Sequence, residues 1–315
     1  MKGKIIPLKP QADGKKQGGG SGSKARGLLA AQMHEVERLL WRASARAPGV
    51  LRERLIAITE KGERLCPALF LIIASAHQSE SRQRYHLAAS LEALHLALRT
   101  HRGMATTDEL SPKEAILCGD FYFGLALTLA GNQPLFIQGM SEIITRFVAS
   151  TIEIPGQAAA SEDLCKDYLQ KICDGMASIY ALSCTLGAWL AGLKPWQNEA
   201  LSYYGLYLGI GLQVKQERES FTSLLREKEL LFKASLPILY TLGESPLRPK
   251  LASLLNKRLS EKERDLFLRE VERINPCPYL ERIINNCFFK AGQFIELLWE
   301  SVDPETLQSL KNLLS

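Results

Sequence analysis

The sequence lacks the short motifs that mark the common catalytic sites. It contains no G-x-S-x-G elbow, no Walker phosphate loop, no H-E-x-x-H zinc motif and no G-x-G-x-x-G turn opening a βαβ unit. The five histidines are scattered, and the seven cysteines include no C-x-x-C pair. These absences argue against elbow-type hydrolases, P-loop enzymes and zinc sites. We expect the cysteines to be buried, reduced thiols of a cytoplasmic protein.

Excess positive charge is absent from most of the chain and is confined to its amino-terminal segment. The net charge is +5, and residues 1–27 carry the whole excess, with Asp13 as their only acid. A Gly/Ser/Lys-rich composition cannot bury a core, so we predict a disordered basic leader over 1–27. The leader has no apolar stretch of signal-peptide type. No nucleic-acid partner is expected, and contact with an anionic surface is the less favoured role.

Long uncharged runs are few. Met176 to Leu193 just reaches membrane-spanning length, and Phe121 to Ser141 is also free of charge. Both runs are rich in small residues and are flanked by charges of both signs. We therefore interpret them as buried helices of a large helical core and predict no transmembrane segment. A cytoplasmic location is expected, with a peripheral contact to membranes left open.

Helical periodicity extends through almost the whole chain, and no strand-like alternation interrupts it. Ser111, Pro112 and Glu114 form the sequence pattern of a capping box at the start of a helix. We predict one all-α domain over 28–315, a multi-helix bundle with a central helix pair. The predicted helices are 28–45, 64–76, 91–104, 111–130, 161–192, 196–220, 232–243, 246–258, 260–274, 278–300 and 303–314.

A basic cluster ends the apolar helix that begins near Leu91. It consists of Arg99, His101 and Arg102, and no carboxylate follows Glu92 until Asp108. One interpretation is that these cations complement the dipole at the carboxyl end of a helix. The other is a phosphate site that needs no metal.

Acidic metal ligands are hard to find. Glu217 and Glu219 are two residues apart and therefore point in different directions on a helix. We expect them to lie on a solvated helix end. His95 lies on an apolar helix, where a core histidine is a better interpretation than a metal ligand.

Six segments, taken in order, resemble consecutive motifs of the trans-isoprenyl diphosphate synthase (polyprenyl synthetase) family over nearly all of residues 28–315. The family motifs are a Gly-Gly-Lys-Arg-x-Arg-Pro segment, the helix before a first Asp-Asp-x-x-Asp motif, a helix beginning near Leu-Ala-Gly-Asp, a helix with a Lys-Thr pair, a helix with a second aspartate motif, and a Gly-Lys-x-Thr-Leu-Pro segment. The corresponding stretches here are KGERLCPALFLIIAS, AASLEALHLALRTH, AILCGDFYFGLALTLA, YLQKICDGMASIYALSCTLGAWLAG, YGLYLGIGLQVKQERES and FKASLPILYTL. Each match is weak alone, but their order is specific.

The resemblance implies that nearly every position that holds magnesium or diphosphate has been replaced. The first aspartate motif would fall on residues 102–106 and the second on 216–220. Arg64, Pro67, Gln213 and Lys233 still match the family. The replaced positions are Glu63, Cys66, Arg102, Gly103, Thr106, Gly175, Met176, Gln216, Glu217 and Ser220.

The resemblance also sets the functional expectations. It implies an isoprenoid-synthase-type bundle around a central apolar cavity, with Ala97 and Leu98 at the floor of the pocket. We predict no catalytic residue, no metal site and no cofactor, because the family's Mg²⁺ ligands are missing. The residues left to bind substrate are Arg64, Arg102, Gln213 and Lys233.

Three functions are compatible with this pattern. The favoured one is a non-catalytic, regulatory or structural subunit of a heteromeric polyprenyl diphosphate synthase that serves isoprenoid or quinone side-chain synthesis. Its partner would be a motif-intact synthase subunit, with a self-dimer as the other possibility. The second is a metal-independent protein that binds an isoprenoid or lipid. The third is an active prenyltransferase with an atypical metal site formed by Glu63 and Glu217.

Overall fold

The structure is a computed structural model, and it describes most of the chain from residue 21 onward. The described ranges are 21–75, 82–103, 110–152, 164–225, 234–255, 259–299 and 301–314. Every regular element within these ranges is a helix, which confirms the all-α prediction.

Helices follow one another with short connections. In the amino-terminal half they are α1 (Ser21–Ala45), α2 (Gly49–Glu60), α3 (Leu65–Ala74), α4 (Arg82–His101), α5 (Pro112–Ala130) and α6 (Pro134–Ile152). In the carboxy-terminal half they are α7 (Leu164–Ile172), α8 (Ser178–Leu190), α9 (Pro195–Leu224), α10 (Leu236–Glu244), α11 (Arg248–Ala252), α12 (Glu261–Ile274), α13 (Cys277–Glu296) and α14 (Pro304–Lys311). A π-helical stretch, Cys173–Ala177, joins α7 to α8, and a 3-10 turn, Asn312–Leu314, follows α14.

Local sequence explains where several helices begin. Ser111 Oγ accepts a hydrogen bond from the Glu114 amide, and Glu114 Oε2 accepts one from the Ser111 amide at 2.8 Å. This is the predicted capping box, which satisfies two amides that the helix itself leaves unpaired. Ser260 and Glu263 start α12 in the same way.

Helix α4 lies at the centre of the bundle. Every residue from Leu87 to Thr100 is buried, and α4 packs against α1, α3, α5 and α8. Helices α8 and α9 pack against each other, and α13 covers α9. A helix without a solvated face can bury a polar side chain only if that side chain finds a partner inside, so polar residues on α4 need an explanation.

The apolar core has one large cluster and two small ones, and one of the small clusters joins α7, α9, α10 and α13 through Ile172, Val214, Leu236 and Leu280. The large cluster joins α1 to α6 with α8, α9, α13 and α14. The other small cluster packs α7 and the end of α9 against α10, α11 and α12 through residues such as Phe221, Leu239 and Phe267. The carboxyl end of α4 lies in the large cluster, whereas α7 and α10 contribute to both small clusters.

The structure adds detail to the predicted organisation in two respects. Helix α1 begins at Ser21, within the range 1–27 for which a basic leader is predicted, and residues 1–20 lie outside the described ranges. Helices α2 (Gly49–Glu60) and α6 (Pro134–Ile152) were not predicted.

The two uncharged runs differ in how far they are buried. The run Met176 to Leu193 is mostly buried in the π-helical stretch and α8, as expected. The run Phe121 to Ser141 is broken at Gly131, which has a φ of +57°, into α5 and α6, and it exposes Leu127 and Ile137. Its expected burial is therefore wrong in part. Among the described helices, none combines the length and the apolar character needed to cross a bilayer.

All seven cysteines are free thiols. Cys66 and Cys184 are completely buried, and burial raises the pKa of both thiols. The expected burial is wrong for three of the seven, which are partly exposed: Cys165, Cys173 and Cys277.

Candidate functional site

A polar stripe runs along the buried helix α4. It lies beside positions that the family resemblance assigns to metal or diphosphate binding. It consists of Glu92, His95, Arg99 and Arg102, which lie three or four residues apart and therefore share one face of the helix. Glu92 and His95 are at most 1% exposed, and Arg99 is 9% exposed. The stripe makes two separate clusters with side chains from other helices.

The inner cluster pairs Glu92 with Arg64. Arg64 Nη1 donates to Glu92 Oε1 at 2.9 Å, the Arg64 amide donates to the same oxygen at 3.3 Å, and Arg64 Nη2 donates to the carbonyl of Thr59. Arg64 is the residue before α3 and has a φ of +61°, a left-handed conformation that is costly for a residue with a side chain. The contacts to Glu92 and Thr59 hold it there.

Glu92 keeps its charge despite complete burial. Burial alone would raise its pKa, but neighbouring His95 and the charge of Arg64 outweigh that effect and lower the pKa to about 2. His95 Nδ1 is 3.9 Å from Glu92 Oε2, which is too long for a hydrogen bond. The Nδ1 atom and that oxygen therefore have no hydrogen-bond partner among the described residues. His95 is a core histidine as expected, but only partly satisfied.

The outer cluster pairs Arg102 with Glu217. Tyr168 of α7 lies between them, because its hydroxyl accepts from Arg102 Nη2 at 2.8 Å and donates to Glu217 Oε1 at 2.7 Å. Arg102 Nη2 is also 3.5 Å from Glu217 Oε1. The guanidinium lies 5.7 Å from the centre of the Tyr168 ring. Burial, followed by the nearby charge of Glu217, raises the pKa of Tyr168, so its hydroxyl stays protonated.

Glu217 accepts hydrogen bonds at both carboxylate oxygens. Gln213 Nε2 donates to Oε1 at 2.9 Å, and the Leu236 amide donates to Oε2 at 2.9 Å. Glu217 is only 7% exposed, whereas Glu219 is exposed. The prediction of a solvated helix end is therefore wrong for Glu217, because side chains from α4 and α7 and the first amide of α10 converge on it.

Glu63 contacts Arg99 of the polar stripe and Gln216 of α9. Its Oε1 accepts a long hydrogen bond from Gln216 Nε2 at 3.4 Å and lies 3.7 Å from Arg99 Nη1. Arg99 Nη1 and Nε are buried and have no hydrogen bond within the described residues. Glu63 thus balances the charge of Arg99 without satisfying its donors.

The remaining predicted positions do not form one site. Cys66 is buried in α3, and Ala97 and Leu98 are completely buried in the large core cluster. Gly103 follows α4 with a φ of +72°, and Ser220 is exposed. Thr106 and Lys233 lie outside the described residues.

Gly175 and Met176 lie in the π-helical stretch, a feature that often marks functional positions. Met176 is buried, and a Cβ atom on Gly175 would lie 3.1 Å from the ring of Phe147. This stretch was not predicted from the sequence, because nothing in the letters CDGMA distinguishes π from α geometry.

Sequence analysis also missed Tyr168. It lies 66 residues from Arg102 and 49 from Glu217, and no local spacing connects them. The pair Gln213–Glu217 is an i, i+4 pair, and this spacing could have indicated that Glu217 is engaged.

The described residues do not fit a divalent cation. No three His, Cys, Asp or Glu side chains gather at one place within the described ranges. At the two facing positions the chain offers Arg102, which cannot ligate a metal, and Glu217, whose two oxygens already accept bonds from protein donors. Asp108 and Glu109 lie outside the described residues.

Known proteins resemble this chain along most of its length. The family model described as polyprenyl synthetase matches residues 49–217. Heptaprenyl diphosphate synthase component 2 of Geobacillus stearothermophilus is 26% identical over 248 residues, which cover 72% of this chain and 78% of that protein. The protein of the same name from Bacillus subtilis (strain 168) is 24% identical over 232 residues, covering 67% and 66%.

The same fold occurs in solved structures. The geranylgeranyl pyrophosphate synthase of Lactobacillus brevis superposes with a TM-score of 0.77 at 20% identity, over 92% of this chain and 96% of that one. At this level of identity the likeness establishes the helical fold.

Proposed function

Because the chain belongs to the polyprenyl synthetase family, we propose that it is a non-catalytic subunit that works with a motif-intact prenyl diphosphate synthase. The observation that carries the proposal is the Arg102–Tyr168–Glu217 cluster. Protein groups are bonded to one another at the two positions where the family resemblance places facing metal-binding acids.

Prenyl transfer needs strong charge neutralisation. Ionising an allylic diphosphate separates a carbocation from a multiply charged leaving group, and positive charge on that group lowers the barrier by several kcal/mol. In this chain Arg102 is directed at Glu217 and Tyr168, and Arg64 at Glu92. The charge of each guanidinium is already paired with a buried carboxylate, so we expect little prenyl transfer by this chain alone.

Two observations support a protein partner. The word component in the names of the two heptaprenyl diphosphate synthase relatives denotes an enzyme of more than one part. In this chain, α5 and α6 expose large apolar side chains, which is typical of a surface that another protein covers. They are Ile116, Leu117, Leu127, Ile137 and Val148.

The test combines activity with assembly. The purified chain should make no polyprenyl diphosphate from isopentenyl and allylic diphosphates with magnesium. Added to a motif-intact synthase from the same cell, it should change the rate or the product length. Leu127→Glu on α5 should abolish this effect, whereas Phe289→Glu, at an equally apolar exposed position on α13, should not. Product formation by the isolated chain, free of any co-purified synthase, would refute the proposal.

A second function has one observation in its favour. Buried Nε and Nη1 of Arg99 and Nε of Arg64 have no hydrogen bond among the described residues, and an oxyanion would satisfy such donors. This supports a metal-independent isoprenoid-binding protein. It requires binding of a prenyl diphosphate that EDTA does not weaken and that Arg102→Glu abolishes. The third function, a transferase with an atypical metal site at Glu63 and Glu217, has no support in the contacts of Glu217.

A further inference from the structure

Arg102 connects parts of the fold that otherwise share little packing. Helix α4 packs mainly against α1, α3, α5 and α8, whereas α7 and α10 pack in the smaller core around Phe221 and Phe267. We propose that Arg102 is a built-in counter-ion that braces the carboxyl end of α4 to α7, α9 and α10 without any metal or ligand. The inference goes beyond the subunit role and holds whether or not the chain has a partner.

The brace converges on one carboxylate. Glu217 of α9 receives the Tyr168 hydroxyl of α7 at 2.7 Å, the Leu236 amide of α10 at 2.9 Å and Arg102 from α4 at 3.5 Å. A buried carboxylate is stable only when a positive charge and enough donors surround it. Arg102 is the cation within contact distance of Glu217 in the described residues, so its charge is the condition for the whole junction.

Helix α10 depends on the same junction for its first turn. The residue before it, Ser235, makes no capping hydrogen bond with its side chain. Glu217 Oε2 instead accepts the first amide of the helix, that of Leu236, and places a negative charge at the positive end of the helix dipole. Glu217 is therefore a cap supplied by another helix, and Arg102 contacts the carboxylate that forms this cap.

The charges of the site are also paired internally. Arg64 pairs with Glu92, Arg99 lies beside Glu63, and Arg102 pairs with Glu217. Arg64 also lies 4.0 Å from Glu37, so within the described residues each of these guanidinium groups has at least one carboxylate nearby. The Arg102 guanidinium therefore takes the place of a bound metal ion. It supplies positive charge between two helices at all times, whereas a metal ion would supply it only when bound.

Amide hydrogen exchange of the full chain tests the brace directly. Arg102→Met should accelerate exchange of the Leu236 amide and of the α7 amides about tenfold or more, with little change in α1 and α3. Tyr168→Phe keeps both charges and should give a smaller acceleration at the same amides. This second variant carries the test if Arg102→Met does not fold.

The control is Arg218→Met. Arg218 lies next to Glu217 on α9, and its Nη1 is 3.5 Å from Glu281 Oε1, the distance found in the Arg102 pair, but Arg218 is partly exposed and Glu281 is 57% exposed. It should leave exchange at Leu236 and α7 unchanged. In the unmodified chain, neither excess EDTA nor excess magnesium chloride should change exchange at these amides.

Three results would overturn the inference. The first is that exchange at Leu236 and α7 in Tyr168→Phe and Arg102→Met equals that in Arg218→Met. The second is an acceleration spread evenly over all helices, which would indicate general destabilisation. The third is slower exchange at these amides when magnesium is added. Stabilisation by magnesium would show that Arg102 does not take the place of a metal ion. The two proposals can fail independently. A variant could lose its effect on the synthase while exchange at these amides stays slow, or it could keep that effect while exchange becomes faster.

Discussion

Two buried arginine–glutamate pairs lie along helix α4, and they differ in how completely their atoms are bonded. In the inner pair, Glu92 Oε2 and Arg64 Nε have no hydrogen bond among the described residues. In the outer pair, both oxygens of Glu217 accept bonds, and Tyr168 mediates the contact with Arg102. The inner pair contains Arg64, which the family resemblance retains, whereas both residues of the outer pair are replacements.

The two pairs differ in how many of their buried polar atoms are hydrogen-bonded to other protein groups. Buried polar atoms are nearly always bonded, yet Glu92 Oε2, His95 Nδ1 and Arg99 Nε have no hydrogen-bond partner among the described residues. In the outer pair, by contrast, both oxygens of Glu217 accept hydrogen bonds from protein donors. The outer pair is therefore the more completely bonded of the two within the described part of the chain.

The largest expected effect is at the inner pair. Arg64→Met leaves the fully buried Glu92 charge with no cation in hydrogen-bond contact, and it should lower the free energy of unfolding by about 3–5 kcal/mol. Urea unfolding followed by circular dichroism measures this, with Arg218→Met, whose partner Glu281 is 57% exposed, as the control. A loss below that of Arg102→Met would reverse the comparison and show that the outer pair is the more important one.

Acid should remove the stability that the charge of Glu92 contributes to the inner pair. The folded pKa of Glu92 is about 2, below its ordinary value of 4.5. A lowered folded pKa gives stability that is present above the ordinary pKa and is lost as the pH falls from about 4.5 through about 2. The loss should be on the order of 1–3 kcal/mol, and Glu92→Gln should flatten this part of the stability curve. An unchanged slope in Glu92→Gln would assign the acid sensitivity to other carboxylates.

The Tyr168 hydroxyl should give an intermediate effect. Tyr168→Phe removes one donor to Glu217 and one acceptor from Arg102 but leaves both charges, so a loss of about 1–2 kcal/mol is expected. A double-mutant cycle with Arg102→Met isolates the coupling, because each single variant breaks the same contact. Additive losses would mean that Tyr168 does not mediate the outer pair.

Sequence alone could predict the helix that carries both pairs but neither pair itself, because Arg64 and Glu92 lie 28 positions apart. Ser111, Pro112 and Glu114 fix the start of α5 locally, and the continuous apolar run of α4 fixes its burial. Such signals lie within one or two helical turns. The outer cluster joins residues 115 positions apart through Tyr168, and only tertiary packing decides that Glu217 faces inward while Glu219 faces solvent.

The same limit explains the other errors in the sequence analysis. A glycine, serine and lysine composition predicts a disordered leader up to residue 27, whereas α1 starts at Ser21. The run Phe121 to Ser141 was expected to be buried, but Leu127 and Ile137 remain on the surface. Composition does not reveal which face of a helix another element covers.

The smallest expected effect is at Arg218, and it sharpens the comparison most directly. The Arg218–Glu281 and Arg102–Glu217 pairs have the same N–O distance of 3.5 Å, but Glu281 is 57% exposed and Glu217 is 7% exposed. Water screens the first pair, so Arg218→Met should change the free energy of unfolding by at most about 1 kcal/mol. High salt should remove even that difference, while the loss in Arg102→Met should persist, because buried charges are screened much less. If both losses vanished equally in salt, burial would not be what distinguishes the two pairs, and the brace at Glu217 would be an ordinary surface contact.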